Sequence, residues 1–520
     1  MMFVVKTTEF LLFVGYNIVK TSLRACSRYK KMQICEVIFR QARSRRRRVP
    51  KGTLGEGDAV WRKYRPQRCF FVSGNRPHIE VFLMKKKSFR RGIHPPDLKM
   101  TAQMPISRIE PKAGTVMVYP MVQHIGAPCA PTVAVGDFVA VGQIIGDSDA
   151  AVSAPIHSAV SGKVVNIGDA LSPKGQMCQA VFIESDGQFS EHPSIQPPGD
   201  YKNMSREDIL ALIREAGVVG LGGAGFPAHI KLNPPKDKPI DTILVNAAEC
   251  EPYLTTDHRV LLEETEKVLT GLDVVLHMFP EARGIVAIED NKPDAIEKFK
   301  QTNKNERISI MPLATKYPQG GEKQLIYACT GREVPSGGLP MDVGCIVHNA
   351  DTITAIHQAV ANGRPLMRKV VTVTGGAVEA PGNYEVRLGM TFKDLIEEIG
   401  GTKSQPFKIV VGGPMMGVAQ STLEVPIVKT SSAIILMTEQ EAARPPEQNC
   451  FRCGKCVDYC PVGVMPLDLS AYASRNDKAR FKKYNGMDCM SCACCSYVCP
   501  AHRNVAQAIG VMKQDILSSK

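Results

Sequence analysis

The chain has 520 residues, which is too long for a single hydrophobic core, so three or four domains are expected. Hydrophobic residues make up 44% of it, an ordinary share for a globular protein. The net charge of +13 does not indicate a nucleic-acid-binding protein, because residues 1–83 hold 18 Lys and Arg against 5 Asp and Glu and the remainder is neutral.

Residues 1–83 differ in character from the rest of the chain. They contain the single Trp, Trp61, and the run Arg45–Arg48, and they show no helical or strand period. We interpret 1–83 as a basic extension outside the fold, encoded in frame ahead of a start at Met84. A targeting peptide and a basic docking arm are the alternatives, since Arg-rich, acid-poor segments serve as either.

No stretch of the sequence predicts a membrane span, which needs about 20 consecutive apolar residues. The segment 3–19 comes nearest, but Lys6 and Glu9 interrupt it. If the protein works at a membrane, we expect it to dock on partners there and not to cross the bilayer.

Residues 84–190 are predicted to form a β-rich, barrel-sandwich-like domain. Between Val133 and Ile167, short apolar runs alternate with Gly and Pro, as in short strands joined by tight turns. The pattern resembles the biotinyl and lipoyl hammerhead fold. The lysine that such domains carry for modification is missing from the turn 158–160, so we expect a docking scaffold and not a swinging arm.

A Pro- and Gly-rich linker near residues 190–200 leads to an α/β domain, predicted over 203–367. Ser205 and Asp208 form a capping-box-like helix start. Strands and helices then alternate, which predicts a parallel sheet covered by helices on both faces. The predicted order is strand 242–246, helix 259–278, strand 284–288, helix 293–301 and strand 308–313.

Two smaller units follow the α/β domain. Residues 368–430 combine short strands with one helix and predict a compact α+β unit, a β-grasp-like domain of the soluble-ligand-binding kind. A strand at 432–437 leads into the last domain, 438–520, which is predicted to be helical and ferredoxin-like because of its cysteines.

A glycine-rich loop opens the α/β domain. Gly220-x-Gly222-x-x-Gly225 matches the dinucleotide-binding fingerprint, which requires a strand before it and a helix after it. Here an amphipathic helix comes before it, so an ordinary Rossmann site is not predicted. Consecutive glycines, Gly222 and Gly223 among them, still let backbone N–H groups approach a phosphate. A plain connector turn is the alternative.

Polar side chains lie after the predicted strands of this domain. Lys231 follows the loop, and Asn246, Glu249 and Glu251 come at a strand end. Two further helix starts are polar, at 316–322 and 348–352. Ligands of parallel sheets bind at the C-terminal ends of the strands, so these segments predict a ligand site. Single carboxylates on solvated faces are the alternative.

The cysteines near the C-terminus indicate iron–sulfur clusters. Two runs of the form C-x₂-C-x₂-C-x₃-C-P occur, the pattern of bacterial two-cluster ferredoxins, in which the fourth Cys of each run binds the other cluster. One [4Fe–4S] cluster is therefore predicted on Cys450, Cys453, Cys456 and Cys499. The other is predicted on Cys489, Cys492, Cys495 and Cys460.

Zinc is the alternative metal, but zinc sites favour paired ligands without a fixed Cys-Pro. Cys494 lies outside the register and is interpreted as a structural thiol beside the second cluster, whose potential it can shift. Of the 17 Cys, nine fall between 450 and 499, and cluster ligation needs free thiols, so a reducing compartment is expected.

Taken together, the motifs resemble the flavin subunit of respiratory complex I, and more closely the C subunit of the Rnf (Rsx) ion-translocating electron-transport complex. The resemblance covers the chain from about Met84 onward. It is carried by the two cysteine runs and by five segments: 92–96 (GIHPP), 246–252 (NAAECEP), 257–259 (DHR), 289–293 (EDNKP) and 317–322 (YPQGGE).

The resemblance implies a peripheral subunit on the cytoplasmic side of the cell (inner) membrane, assembled with other subunits. It would pass electrons between NAD(H), non-covalent FMN and two [4Fe–4S] clusters, reach ferredoxin indirectly, and serve Na⁺ or H⁺ translocation without binding nucleic acid. The residues implied for FMN and NAD(H) are Gly220, Gly222, Gly223, Gly225, Lys231, Asn246, Glu249, Glu251, Glu322 and Asn349, with Glu251 and Glu322 near the nicotinamide.

The sequence leaves three other functions open. The first is a non-pumping NADH dehydrogenase that passes electrons to a quinone. The second is an electron relay or redox sensor whose α/β domain is structural, and which would purify without flavin. The third, nucleic-acid binding, depends entirely on residues 1–83 and would disappear with their deletion.

Overall fold

A computed structural model describes residues 87–519, so the interpretation of residues 1–83 lies outside the described range. Within that range, no helix is both long and apolar enough to span a bilayer.

The N-terminal part is a small β-sandwich. Two antiparallel sheets, β2-β8-β7-β4 and β3-β5-β6, enclose Tyr119, whose hydroxyl accepts a 2.9 Å hydrogen bond from the Ala159 N–H. The short strands and tight turns predicted here are present. The strands of the sandwich are β2 Val116–Pro120, β3 Ala130–Pro131, β4 Phe138–Val139, β5 Ile144–Asp147, β6 Ile156–His157, β7 Gly162–Leu171 and β8 Met177–Ser185. The strand before them, β1 Ile106–Ile109, belongs to a different sheet.

The next part is an α/β layer structure. Its four strands are parallel in the order β11-β10-β9-β12. The elements are α1 Arg206–Glu215, α2 Ala228–Lys231, β9 Thr242–Ala247, α3 Thr256–Glu263, α4 Thr265–Met278, β10 Arg283–Glu289, α5 Pro293–Thr302, β11 Ile308–Leu313, α6 Glu322–Thr330, β12 Cys345–Asn349 and α7 Ala350–Asn362.

Alternate side chains of β9 face two different cores, as the pleat of a strand requires. Ile243 and Val245 pack with α4 and α7 in the main core of the protein. Leu244 points the other way and packs with Leu325 and Ile326 of α6. Helices therefore cover both faces of the parallel sheet, as predicted.

The predicted helix 259–278 is wrong as a single element. The chain forms α3 and α4 instead, with Glu264 between them at φ −117° and ψ 25°, outside helical geometry. The buried Thr265 hydroxyl donates to the Leu261 carbonyl at 2.5 Å. A threonine that bonds back to the carbonyl four residues earlier competes with the helical ladder and bends the chain.

A six-stranded mixed sheet follows, in the order β1-β14-β13-β17-β15-β16. The sheet includes β1, which precedes residue 110, and β17, which follows residue 430. It therefore extends beyond the predicted unit 368–430. All five residues of β17 are buried, which is typical of a central strand covered on both faces. Its remaining elements are β13 Arg368–Thr374, β14 Gly382–Arg387, α8 Phe392–Glu398, β15 Lys408–Val411, β16 Val418–Gln420 and β17 Ala433–Met437.

The C-terminal part consists of short helices around a core of its own. Leu469 of α11 and Ile509 and Met512 of α14 are buried there with Phe481 of α12. The cysteine runs lie in the connections and short helices around this core. The helices are α9 Glu439–Ala442, α10 Lys455–Asp458, α11 Pro466–Ser474, α12 Lys478–Lys483, α13 Cys494–Tyr497 and α14 Val505–Ser518.

Candidate flavin and iron–sulfur sites

The polar residues predicted at the strand ends lie side by side. Asn246 of β9 and Asn349 of β12 are register partners at the C-terminal edge of the sheet. The Asn246 side-chain amide donates to the Gly320 carbonyl at 2.8 Å, which brings the loop 316–322 to the same edge. Three separate loops therefore meet where ligands of parallel sheets bind.

The glycine-rich loop packs against this edge of the sheet. The Leu221 N–H donates to the Thr352 hydroxyl at 2.9 Å. A Cβ on Gly222 would lie 2.7 Å from the Asn349 side chain, whereas a Cβ on Gly223 would meet no atom within 4 Å. Gly223 therefore borders open space at the site.

The outer two glycines have structural roles. The Gly220 N–H donates to the Phe226 carbonyl at 2.9 Å and closes the loop. Gly225 has φ +79° and packs closely against Gln123 and Thr430, where a Cβ would approach within 2.9–3.1 Å. Of the predicted glycines, Gly222 and Gly223 are thus the two that face the strand ends.

Lys231 supplies positive charge. It lies in α2, and its Nζ is 2.5 Å from Glu322 Oε1 at the start of α6. Both side chains are partly exposed. The pair joins two predicted site residues and leaves each able to reach a ligand.

Glu249 belongs to a buried polar network. Its carboxylate accepts from the Asp257 N–H at 2.6 Å and lies 3.6 Å from Lys99 Nζ. Asp257 in turn accepts from the Asn349 amide at 2.7 Å. Burial, followed by the charge on Glu249, raises the pKa of Asp257 to about 7. The network links the strand end of β9 to the start of α7.

Glu251 has a different environment from the other site residues. One carboxylate oxygen accepts from the Met415 N–H at 3.1 Å and the other from the Met416 N–H at 3.0 Å. Tyr317 approaches it at 3.4 Å, and burial raises the pKa of Glu251 to about 7. Because both oxygens already bond the protein, Glu322 is the predicted nicotinamide neighbour with a carboxylate that is still accessible.

The residues at the strand ends fit a polar cofactor. Gln319 is fully buried, yet neither its Oε1 nor its Nε2 has a hydrogen-bond partner in the described chain. The Nε2 of buried His348, beside Asn349, also lacks one within residues 87–519. Buried polar atoms without partners are costly, so unused hydrogen-bonding capacity here indicates a place for a ligand or water.

A cavity of about 770 Å³ lies elsewhere, between the β-sandwich, the α/β part and the six-stranded sheet. It shares Leu221 with the glycine-rich loop but none of the residues predicted for the flavin. Its basic side chains Arg368 and Arg387 are already paired with Glu110. The chemistry therefore favours the strand ends over this cavity as the flavin site.

The cysteines gather into two groups of four. The charges that act on Cys456 come from Cys453, Cys450 and Cys499. Burial, followed by the charges of Cys492, Cys489 and Cys460, raises the pKa of Cys495 to about 12. Each group thus combines three thiols of one run with the last thiol of the other. A metal that binds these sulfurs would deprotonate them, so each group could serve as a four-thiolate ligand set.

The two groups differ in exposure. Cys450 and Cys453 of the first group are exposed, whereas the four thiols of the second group are buried. The second group also lies against the α/β part, because Cys492 packs with Tyr317 and Cys250. The second group is therefore the one nearer to the strand-end site.

Replacing Cys494 is expected to change the second cluster without removing it. Cys494 is fully buried, and its hydrogen bond to the Cys492 thiol lowers the pKa of Cys492. A donor to a ligand sulfur stabilises the reduced cluster, so Cys494→Ala should lower that cluster's reduction potential at unchanged iron content. Redox titration followed by electron paramagnetic resonance measures this.

Cys329→Ala is the matched control for Cys494, because Cys329 is also buried but lies in α6 in a separate core. It should leave both potentials unchanged. A loss of iron in Cys494→Ala would contradict this prediction and would identify Cys494 as a cluster ligand.

Two contributors to the site were not predicted from the sequence. Lys99 donates to the carbonyls of Glu249, Glu251 and Leu254, and so supports the strand-end loop from far upstream. Thr352 holds the glycine-rich loop. A lone lysine gives no sequence signal, but Thr352 belongs to the polar helix start at 348–352 and could have been found there.

Four family models match the chain in turn. They are the RnfC barrel sandwich hybrid domain over residues 87–188, the Nuo51 FMN-binding domain over 213–358, the SLBB domain over 370–419 and a 4Fe-4S dicluster domain over 449–502. The predicted multidomain organisation is confirmed at this level.

Relatives cover most of the chain. The C subunit of the proton-translocating ferredoxin:NAD(+) oxidoreductase complex of Clostridium ljungdahlii is 47% identical over 431 residues, which are 82% of this chain and 94% of that protein. The C subunit of the Na(+)-translocating complex of Acetobacterium woodii is 42% identical over 84% of this chain and 99% of that protein. The chain belongs to this family of Rnf complex C subunits, which confirms the resemblance.

Proposed function

We propose that the chain is the NAD(H)-facing peripheral subunit of a membrane-bound complex, on its cytoplasmic side, coupling electron transfer between NAD(H) and ferredoxin to Na⁺ or H⁺ translocation. The observation that carries this is the meeting of a phosphate-accessible glycine loop, a lysine and unpartnered polar groups next to two groups of four thiols. Ferredoxin is reached through other subunits, and FMN is held non-covalently.

In this proposal the strand ends bind the flavin. Gly222, Gly223 and Lys231 offer N–H groups and a cation to its phosphate. Asn246 and Asn349 shape the sheet edge beside the flavin, because their amides hold the loop at Gly320 and the carboxylate of Asp257 in place. Glu322 lies where the nicotinamide nucleotide approaches. Flavin converts a two-electron hydride into single electrons, which a [4Fe–4S] cluster accepts one at a time.

The thiols divide the electron route into an inner and an outer end. Cys460, Cys489, Cys492 and Cys495 hold the cluster beside the flavin, and Cys450, Cys453, Cys456 and Cys499 hold the one that faces a partner. The burial of the second group, which contains Cys460, and the exposure of Cys450 and Cys453 in the first group support this order. We also propose that the six-stranded sheet is a β-grasp-like domain, built on residues 368–430 and completed by β1 and β17. The other units are proposed to run 84–190, 203–367 and 438–520.

Activity measurements test the proposed function. The reconstituted full chain should oxidise NADH with an artificial one-electron acceptor when loaded with FMN, and should lose that activity when the flavin is removed. A protein that purifies without flavin, takes none up and does not oxidise NADH would be a relay, contrary to this proposal.

Gly223→Ala tests the flavin cradle. The added methyl meets no protein atom within 4 Å, so the fold and both clusters should remain. It would occupy the space through which the backbone approaches the phosphate, so flavin content should fall by about tenfold, the effect of losing about 1.4 kcal/mol. Flavin released by denaturation and iron in the same sample are measured together.

Gly510→Ala is the matched control for Gly223. Gly510 lies in α14, and its added methyl also meets no atom within 4 Å. Flavin content should match that of the unaltered chain. Equal flavin in the two variants would place the phosphate away from Gly223.

A further inference from the structure

Tyr317 lies where three parts of the protein meet. Its side chain is 1% exposed and packs with Ile93 and Cys492. Its hydroxyl is 2.9 Å from the Cys492 carbonyl oxygen and 3.4 Å from Glu251 Oε1. One phenol thus touches a predicted ligand residue of the second cluster and a strand-end residue of the α/β part.

Glu251 is itself fixed. Its two oxygens accept from the backbone of Met415 and Met416 in the turn between β15 and β16. A Cβ on Gly413 of that turn would lie 2.2 Å from Glu251 Oε2, so the contact admits only glycine. The Tyr317 hydroxyl therefore lies against a carboxylate that the turn of the six-stranded sheet holds in place.

Other contacts hold the cluster part more loosely or farther from the thiols. Ser336 donates to Asp488 at 2.5 Å on the exposed surface, and Gln324 reaches the Pro461 carbonyl only at 3.5 Å. Between residues 203 and 367, no other side chain donates a hydrogen bond to a predicted cluster ligand in the described structure. The Tyr317 hydroxyl is thus the direct polar link from the flavin side to the second cluster.

We propose that Tyr317 is a positioning residue for electron transfer, and that its hydroxyl fixes the Cys492 loop, and with it the second cluster, at a set distance from the strand-end site. The inference rests on the proposed function. The O–H donated to the Cys492 carbonyl also brings a positive hydrogen close to the cluster, which favours the reduced state. Tyr317 therefore affects both the transfer distance and the potential.

Tyr317→Phe removes the hydroxyl and keeps the ring. In the full chain loaded with FMN and clusters, NADH should reduce the flavin at an unchanged rate. Reduction of the second cluster should slow by about tenfold, which corresponds to about 1.4 kcal/mol on the barrier, because the Cys492 loop loses its hydrogen bond to Tyr317. The potential of the second cluster should fall. Stopped-flow absorbance gives the two rates, and redox titration followed by electron paramagnetic resonance gives the potential.

Tyr384→Phe is the matched control. Tyr384 is also buried, and its hydroxyl donates to the Ala380 carbonyl at 2.9 Å, remote from the thiols. It should change neither the rate nor the potential. If Tyr317→Phe behaves like Tyr384→Phe, or loses flavin while its cluster potential stays unchanged, the positioning role is overturned.

If Tyr317→Phe is too unstable to bind FMN and the clusters, Met415→Pro tests the proposal instead. Met415→Pro removes the N–H that donates to Glu251 and keeps Tyr317, so the rate of reduction of the second cluster should also fall. An unchanged rate would overturn the proposal. The unaltered chain separates the two claims. If NADH does not reduce its flavin, the proposed function fails. If NADH does and Tyr317→Phe has no effect, only the positioning role fails.

Discussion

The double variant Cys460→Ala, Cys489→Ala is expected to keep about half of the iron, whereas Cys460→Ala, Cys450→Ala should lose nearly all of it. The reason is the crossed arrangement, in which the last thiol of each run completes the other run's cluster. The charge of Cys460 helps to raise the pKa of Cys489 and of Cys495, and the charge of Cys499 helps to raise the pKa of Cys456. Iron and sulfide determinations on the purified variants distinguish the two outcomes.

The reverse outcome would contradict crossed ligation. If each run bound its own cluster, Cys460 with Cys450 would damage one cluster, and Cys460 with Cys489 would damage both. Cys178→Ala, which removes a thiol of the β-sandwich, is the control and should leave iron content unchanged.

The second large effect is expected at Lys231. Lys231→Met should weaken FMN binding by about 30-fold, the effect of losing about 2 kcal/mol, because a hydrogen bond to a charged group contributes about that much. The change removes the cation offered to the phosphate and also leaves Glu322, 2.5 Å away, without its partner at the site. Fluorescence titration of the flavin-free protein with FMN measures the dissociation constant.

Lys238→Met provides the comparison for Lys231. Lys238 also forms an ion pair, with Asp342 at 3.1 Å, but away from the strand ends. The FMN affinity of Lys238→Met should be unaltered, because the two ion pairs are similarly exposed and only Lys231 is placed beside the proposed phosphate site. Equal dissociation constants for the two variants would mean that the phosphate binds elsewhere.

The parts of the structure that depend on local pattern were predictable. The spacing of the cysteines predicts two [4Fe–4S] clusters. The alternation of strands and helices predicts a parallel sheet with Asn246 and Asn349 at its C-terminal edge. The capping box at Ser205 and Asp208 is present as expected. Each of these follows from residues a few positions apart, or from a rule that applies to every parallel sheet.

The parts that depend on distant contacts were not predictable. Pairing of β1 with β14 joins residues more than 270 positions apart. The hydrogen bonds of Glu251 to Met415 and Met416 likewise connect separate domains, and no local pattern in the sequence predicts them. The helix break at Glu264 depends on one side-chain hydrogen bond that competes with an otherwise regular helical pattern.

The most direct test of the account is an anaerobic NADH titration of the chain started at Met84, reconstituted with iron, sulfide and FMN and followed by visible absorbance. We expect the flavin bands to bleach first and the broad cluster absorbance to fall after them. If dithionite bleaches the clusters but NADH changes nothing, the strand-end site does not accept electrons from the nicotinamide, and the account is contradicted.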